Sequence, residues 1–445
     1  MEHNMTQGKE WKIILLFSFP LIGASFLQTL YSFADSVIVG NFVGDTAFGA
    51  IGMLSPVIML LNFFCTAAGN SVSILSAQYY GAGKEKDVRE TSFTGMILSL
   101  AISLVIISIC FAGARWLVVD FLHTPESMVK DSITYLEIYG VGLFFQTIYQ
   151  VSYGVLRAHG DSKGAMVFLF VSAVINVGLD LLFIIGFHWG VMGGALATII
   201  SQAGSAIASV IYLCRLFPDV AYTKKENWIY AGEKAGKIIR LAIPILCQSS
   251  ILSIGFIVLQ RLCNSFGEPS IEGYAAMQKV ESFIHIVPSA LNVAMSTFTG
   301  QNMGAGRADR VIRGYRLTAL MGFLSSAMIA IPMIVFDCQL LSVFNIGDEA
   351  LKRGCEHLNI LVIFMTVYAV SNITAGLLQG SGDVKIPAIT SFVNLFIRVG
   401  SSYLMAGTFV GYRCIFWSLP LAWTSAFLIN FLRYKSGLWK TKILL

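Results

Sequence analysis

Two acids in apolar surroundings are the first chemistry this sequence offers. Asp35 and Asp180 lie inside long apolar runs, where an ionised side chain is costly and is retained for function. Gln28, Tyr31 and Asp35 are spaced three and four residues apart and share one helix face. Asn176 and Asp180 stand at i, i+4 and share another, with Thr198 at a comparable depth on the following run. Together Asp35, Asn176, Asp180 and Thr198 make a hard-cation site of the oxygen ligands Na⁺ takes, or a set of groups around a shared proton. No other metal is expected. A second polar set has mixed charge: Lys279, Glu281 and Arg398. There a structural Glu281–Arg398 pair and a substrate-binding or gating role both stay open. No HExxH, GxSxG, Walker A or paired-His pattern occurs, so neither an enzyme nor a cofactor is expected.

The elements that must position these residues are membrane spans. The chain has 445 residues, 56% hydrophobic and 12% charged, and a mean hydropathy of +0.73. An ordinary soluble domain carries about 25% charged residues. The composition therefore excludes a soluble enzyme and a disordered chain. A net charge of +5 with no basic stripe argues against nucleic acid as a partner. The 8 cysteines run from Cys65 to Cys414 with no C-x-x-C pair. They read as small core residues, not as a disulfide frame or a metal site. The first apolar run has no A-x-A-like cleavage site and is expected to be a retained span.

A spanning helix needs about 20 mostly apolar residues. Twelve runs qualify: 13–40, 51–80, 93–111, 133–156, 166–187 and 191–213, then 241–266, 274–301, 317–336, 358–378, 386–408 and 414–431. Starting from the N-terminus, alternate connections hold 22 of the 30 Lys and Arg residues. That bias places both termini in the cytoplasm and requires an even number of spans. Gln78 and Gly81-Ala82-Gly83-Lys84 recur as Gln301 and Gly304-Ala305-Gly306-Arg307, 223 residues on. Gly154-x-Leu156 and Gly160-Asp161-x-Lys163 recur as Gly376-x-Leu378 and Gly382-Asp383-x-Lys385, 222 residues on, and Pro20 and Pro244 are 224 apart. The expected architecture is all-α and integral to the membrane, twelve transmembrane helices duplicated as a parallel 6+6 repeat. Its parts are an N-lobe (1–214), a cytoplasmic linker (215–240), a C-lobe (241–432) and a cytoplasmic tail (433–445). Two such lobes suit alternating-access transport. Under the repeat, Asn176 maps to Arg398 and Asp180 to Ser402, so the acid pair belongs to the first lobe alone. Pro20 precedes Asp35 by fifteen residues and marks a static kink or a bend that moves.

Taken in order, Pro20, Gln28-x-x-Tyr31-x-x-x-Asp35, Gly81-Ala82-Gly83, Gly154-x-Leu156-Arg157-x-x-Gly160-Asp161 and Asn176-x-x-x-Asp180 resemble the multidrug and toxic compound extrusion (MATE) family, in its DinF-like bacterial branch. The resemblance covers essentially the whole chain. It implies a V-shaped two-lobe antiporter of the bacterial cytoplasmic membrane, expected as a monomer. The partners it implies are the lipid bilayer and amphipathic, often cationic, small organic substrates exchanged for H⁺ or Na⁺. It further implies that Asp35, Asn176, Asp180 and Thr198 hold the coupling ion, that Gln28 and Tyr31 line the substrate chamber, and that span 1 bends at Pro20. The NorM-like branch instead uses second-lobe acids, one of them on span 7, and this chain has no acid between Pro244 and Phe266. The alternative is a lipid-linked oligosaccharide or other lipid flippase of the same superfamily.

Overall fold

The computed structural model describes residues 4–42, 45–122, 124–218, 228–343 and 346–444; the side chains of 31–53, 127, 165, 166, 252, 254, 256 and 257 lie outside the described residues. Among the described residues every regular element is a helix. The apolar runs leave no alternative, because a backbone in lipid must satisfy its own N–H and C=O groups. In chain order these are α1 Glu10–Phe42, α2 Asp45–Gly81, α3 Glu85–Arg115, α4 Glu126–Ala158, α5 Lys163–Asp180, α6 Gly190–Leu216 and α7 Gly232–Asn264. Then follow α8 Glu268–Ile284, α9 Ile286–Gly304, α10 Ala308–Val335, the short α11 Asp337–Ser342, α12 Asp348–Gly380, α13 Lys385–Ala406 and α14 Cys414–Lys435. Eight carry a stretch long and apolar enough to cross a membrane on length and composition alone. The other expected spans, α4, α7, α8 with α9, and α13, are also helical.

Two features depart from the sequence reading. The run 274–301 is not one helix: α8 ends at Ile284, His285 separates it from α9, and Pro288 follows in the first turn of α9. A proline there withholds one backbone donor. The cysteines are not all core fillers: Cys338 and Cys355 form a disulfide between α11 and α12, while the other six are free. Beyond α14, Trp439 is buried and donates through Nε1 to the Tyr434 carbonyl.

Contacts divide the chain into two compact units. One is Gly23–Ile243; the other joins Met5–Ile22 to Pro244–Leu445. In the first, α2 packs along α4, α4 along α6, α3 flanks α2 and α4, and α5 lies on α6. In the second, α12 takes the place of α4, with α8 and α9 along it, α10 beside them, α14 against it and α13 on α14. The duplication read from short motifs is therefore a duplication of packing. The chain changes unit after Ile22, two residues beyond Pro20, and again at Pro244. Both helices continue through these prolines.

Glycines set the tightest approaches. A Cβ on Gly154 of α4 would stand 2.3 Å from the Gly69 carbonyl oxygen of α2. At the repeat-related place, a Cβ on Gly376 of α12 would stand 2.4 Å from the Asn292 oxygen of α9. One turn on, Gly380 would meet the Ser296 oxygen at 2.2 Å. Small residues at such crossings let helices pack where lipid gives no hydrophobic drive. The repeated turns also share a backbone. Gly83 and Gly306 have φ of +70° and +71°, where a side chain would be strained. The N–H after each closes on a carbonyl five residues back: Lys84 on Tyr79 at 3.0 Å and Arg307 on Asn302 at 2.8 Å. Asp161 and Asp383 in the other repeated turn are structural too. Asp161 Oδ1 accepts the Lys163 N–H at 3.0 Å, capping α5, and Asp383 Oδ2 accepts Arg433 Nε at 2.7 Å.

Candidate functional site

Within the Gly23–Ile243 unit, α5 and α6 bring three of the expected site residues together. Asn176 and Asp180 follow from one turn of α5 to the next, and both are buried, at 1% and 0% exposure. Neighbours fix the Asn176 amide. Its Nδ2 donates to Asp180 Oδ2 at 2.7 Å, and its Oδ1 accepts the Thr198 N–H at 3.2 Å. Thr198 Oγ1 donates to the Gly194 carbonyl at 3.0 Å, which commits its proton and turns its lone pairs outward from that bond. Gly193 allows a close approach, since a Cβ there would lie 3.1 Å from Phe183 Cβ.

The backbone changes character at this acid. From Leu181 to Gly186 the helix widens into a π turn, with the Phe187 N–H bonded to the Leu182 carbonyl at 2.9 Å, five residues back. Such turns are rare and concentrate at functional sites. The widening begins directly after Asp180. It turns the chain towards His188 and Gly190, both at positive φ, and so into α6. A buried carboxylate, an amide that reads it and a hydroxyl with free lone pairs can hold a dehydrated hard cation or a proton.

Not all expected residues join this set. Asp35 and Tyr31 lie on α1, but their side chains are outside the described residues. Gln28 is exposed and Pro20 is buried. In the second unit, Glu281 of α8 and Arg398 of α13 line one cavity of about 310 Å³, whereas Lys279 is exposed and is not part of its wall. The hydrogen-bond partner of Glu281 is His285, with Nε2 3.2 Å from Oε1. His285 also lies 4.6 Å from the Tyr368 ring, and Tyr368 4.8 Å from Trp423, both of them cavity residues. Sequence reasoning missed His285, Tyr368 and Trp423. The i, i+4 spacing of Glu281 and His285 next to Pro288 was the available signal.

The MatE family profile matches this chain twice, over residues 20–182 and 244–404. Those segments cover well over half of it. The chain belongs to the MatE family. The two matches begin at Pro20 and Pro244, so the family pattern repeats within this MatE chain along the same division as its packing. Among curated relatives, it is 28% identical over 445 residues to the Bacillus subtilis (strain 168) "Probable multidrug resistance protein YpnP", covering 98% of each chain. It is 22% identical to the Staphylococcus aureus "Multidrug export protein MepA", covering 93% of this chain and 90% of that one. The MatE fold is shared with a solved outward-facing multidrug resistance MATE transporter, at a TM-score of 0.93 and 21% identity over 99% of each chain. A MATE crystal structure in the bent conformation matches at 0.91, with 21% identity over 99% of this chain and 98% of that one.

Proposed function

We propose that this MatE protein is a secondary antiporter that exports amphipathic, often cationic, small molecules in exchange for inward H⁺ or Na⁺ by alternating access. The carrying observation is the buried Asp180 carboxylate held by Asn176 beside Thr198, in a chain whose full-length relatives bear multidrug resistance and export names. A buried acid in an apolar bundle is costly. An incoming cation or proton neutralises it, so the site is filled and emptied as the coupling ion passes. Asp35 completes the set on α1, with Gln28 and Tyr31 lining the substrate chamber on the face shared with it. Pro20, where α1 passes from one unit to the other, is the bend through which filling acts on that face. The protein works as a monomer in the bacterial cytoplasmic membrane, with both termini in the cytoplasm, and needs no cofactor. It catalyses no covalent chemistry.

The test is transport by the purified protein in proteoliposomes, with Na⁺ and pH gradients imposed separately. One gradient should drive a cationic dye against its own gradient, and collapsing it should stop the movement. Equal dye movement with and without either gradient would overturn the antiport reading.

A further inference from the structure

The cavity of the second unit carries both signs of charge on an aromatic wall. We propose that it binds an amphipathic zwitterion, with the aromatic body against Tyr368 and Trp423, the ammonium at Glu281 and the carboxylate at Arg398. His285 engages Oε1 of Glu281. Arg398 stands where the repeat puts Asn176 in the first unit, so the amide that reads an acid there is exchanged here for a guanidinium, the planar group suited to a carboxylate. Each charge also rejects. A simple cation meets Arg398 and a simple anion meets Glu281, in a space of about 310 Å³ where neither is far away. A ligand with both charges satisfies both walls, and specificity follows from the repulsions as much as the attractions. Gln248, Asn372 and Asn394 add uncharged polar groups to the wall. The cavity volume sits at the lower end of ligand pockets, which run about 300–1,000 Å³.

The role of this cavity as a cargo site rests on the transport reading; the binding does not. Calorimetry on the purified full-length protein in lipid nanodiscs, with phenylalanylphenylalanine, its methyl ester and its N-acetyl derivative, tests it. The zwitterion should bind at least about tenfold more tightly than either blocked form, roughly one charge contact's worth. Arg398→Gln should abolish its advantage over the methyl ester, and Glu281→Gln its advantage over the N-acetyl form. If either variant fails to fold, the ranking of the three ligands on the unaltered protein decides. Equal binding of all three, or none by protein that still exports dye under an ion gradient, overturns the cavity proposal alone. Ranked binding without gradient-driven export leaves the cavity proposal standing and removes the coupling one.

A different observation carries a second inference. Each unit contains the leading segment of the other half's first helix, held at repeat-related places by ion pairs of opposite polarity. In the second unit, the Met5 N–H donates to Gln301 Oε1 at 2.8 Å, Arg310 Nη2 donates to the Gly8 carbonyl at 2.7 Å, and Glu10 pairs with Arg310 at 3.4 Å and Arg313 at 3.1 Å. In the first, Lys234 bonds Tyr79 Oη at 2.7 Å and pairs with Asp87, while the Ala231 N–H donates to Thr94 Oγ1 at 3.0 Å. Burial pushes the Lys234 ammonium down, but its bonds to Asp87 and Tyr79 outweigh that and raise its pKa above the ordinary lysine value. Arg310 lies 223 residues after Asp87, and Lys234 lies 224 after Glu10. The repeat thus preserves the clasp and inverts both partners.

We infer that this inversion is an address. Glu10 set on the wrong repeat would face Asp87, and Lys234 would face Arg310. Like charges in such half-buried sites direct each segment to its own unit, as charge patterns select partners in coiled coils. Folded yield of the full chain, read as the monodisperse fraction on size exclusion in detergent, tests it. Glu10→Lys and Arg310→Asp should each lower the yield several-fold, and the two together should recover it only in part, because both segments then carry a cation that fits both sites. Asp87→Arg with Lys234→Glu should behave alike. Glu10→Lys with Lys234→Glu, which makes both clasps like-charged, should give the lowest yield. Wild-type yield from that last variant, or full wild-type yield from the matched doubles, overturns the inference.

Discussion

Asp180→Asn should leave a folded protein that no longer couples export to an ion gradient. The substitution keeps shape and volume, and the Asn176 amide that donates to Oδ2 at 2.7 Å can turn to meet either end of the new amide. What disappears is the charge. A unit charge pair at 4 Å is worth about 4 kcal/mol at an effective dielectric near 20, or nearly a thousandfold in cation affinity. If the ion is a proton the loss is complete, because a carboxamide does not titrate. Gradient-driven efflux in proteoliposomes should fall to the passive leak while expression and the size-exclusion profile stay unchanged. Asp35→Asn is expected to do the same. Asp180→Glu, which keeps the charge but lengthens the side chain, should retain some coupling with a shifted ion dependence. Unchanged ion-driven efflux by Asp180→Asn protein would remove Asp180 from the mechanism.

Gly380→Val should abolish folded protein, and Gly376→Val should come close. A Cβ at either position lands 2.2 or 2.4 Å from a carbonyl oxygen of α9. The obstacle is backbone, so no rotamer change relieves it. α12 also packs against α8, α10 and α14, so sliding it to make room disturbs the whole second unit. Overpacking in a well-filled core costs about 1–3 kcal/mol, and a backbone obstacle puts this site at or above the upper figure, roughly a hundredfold or more in the folding equilibrium. Even alanine carries the offending atom. Gly113→Ala on α3, where an added Cβ meets nothing within 4 Å, is the matched control and should be neutral or slightly stabilising. Thermal unfolding followed by size exclusion separates the outcomes. A stable, monodisperse Gly380→Val protein would mean that α9 and α12 are not in this register.

Much of this architecture was legible because the membrane leaves few choices. Twelve apolar runs could only become helices, and the Gly-x-Leu and Gly-Ala-Gly repeats marked turns and crossings that recur in space. Asn176, Asp180 and Thr198 were legible for the same reason: polar groups stand out where burying them is costly, and the i, i+4 rule put two of them on one face. The break at His285 was hidden because Tyr274–Gln301 has the length of one span and is apolar over most of it, so Pro288 was the main hint of a break. The partner of Glu281 was hidden as well. Arg398 offered the stronger opposite charge, yet the ring one turn further along the chain reached Oε1 first. Lys279 shares its depth in the span with Glu281, but two residues along a helix turn a side chain to a different face. The disulfide was hidden because its partners are 17 residues apart, on helices whose docking the sequence does not specify.

That disulfide offers a redox test of the proposed orientation. Cys338 and Cys355 join α11 to the start of α12, so they sit on the connection between the ninth and tenth apolar runs. A bonded pair persists on the oxidising side of a membrane and is reduced on the cytoplasmic side. Counting helices back from an outward connection brings the first one in from the cytoplasm. The distribution of lysine and arginine gives the same orientation through an unrelated property, the reluctance of cationic loops to be translocated. One signature depends on charge during insertion and the other on the chemistry of the compartment reached afterwards. In the proposed orientation, the π turn beside Asp180, near the opposite end of its helix from basic Lys163, lies nearer the outside, where a coupling ion would enter.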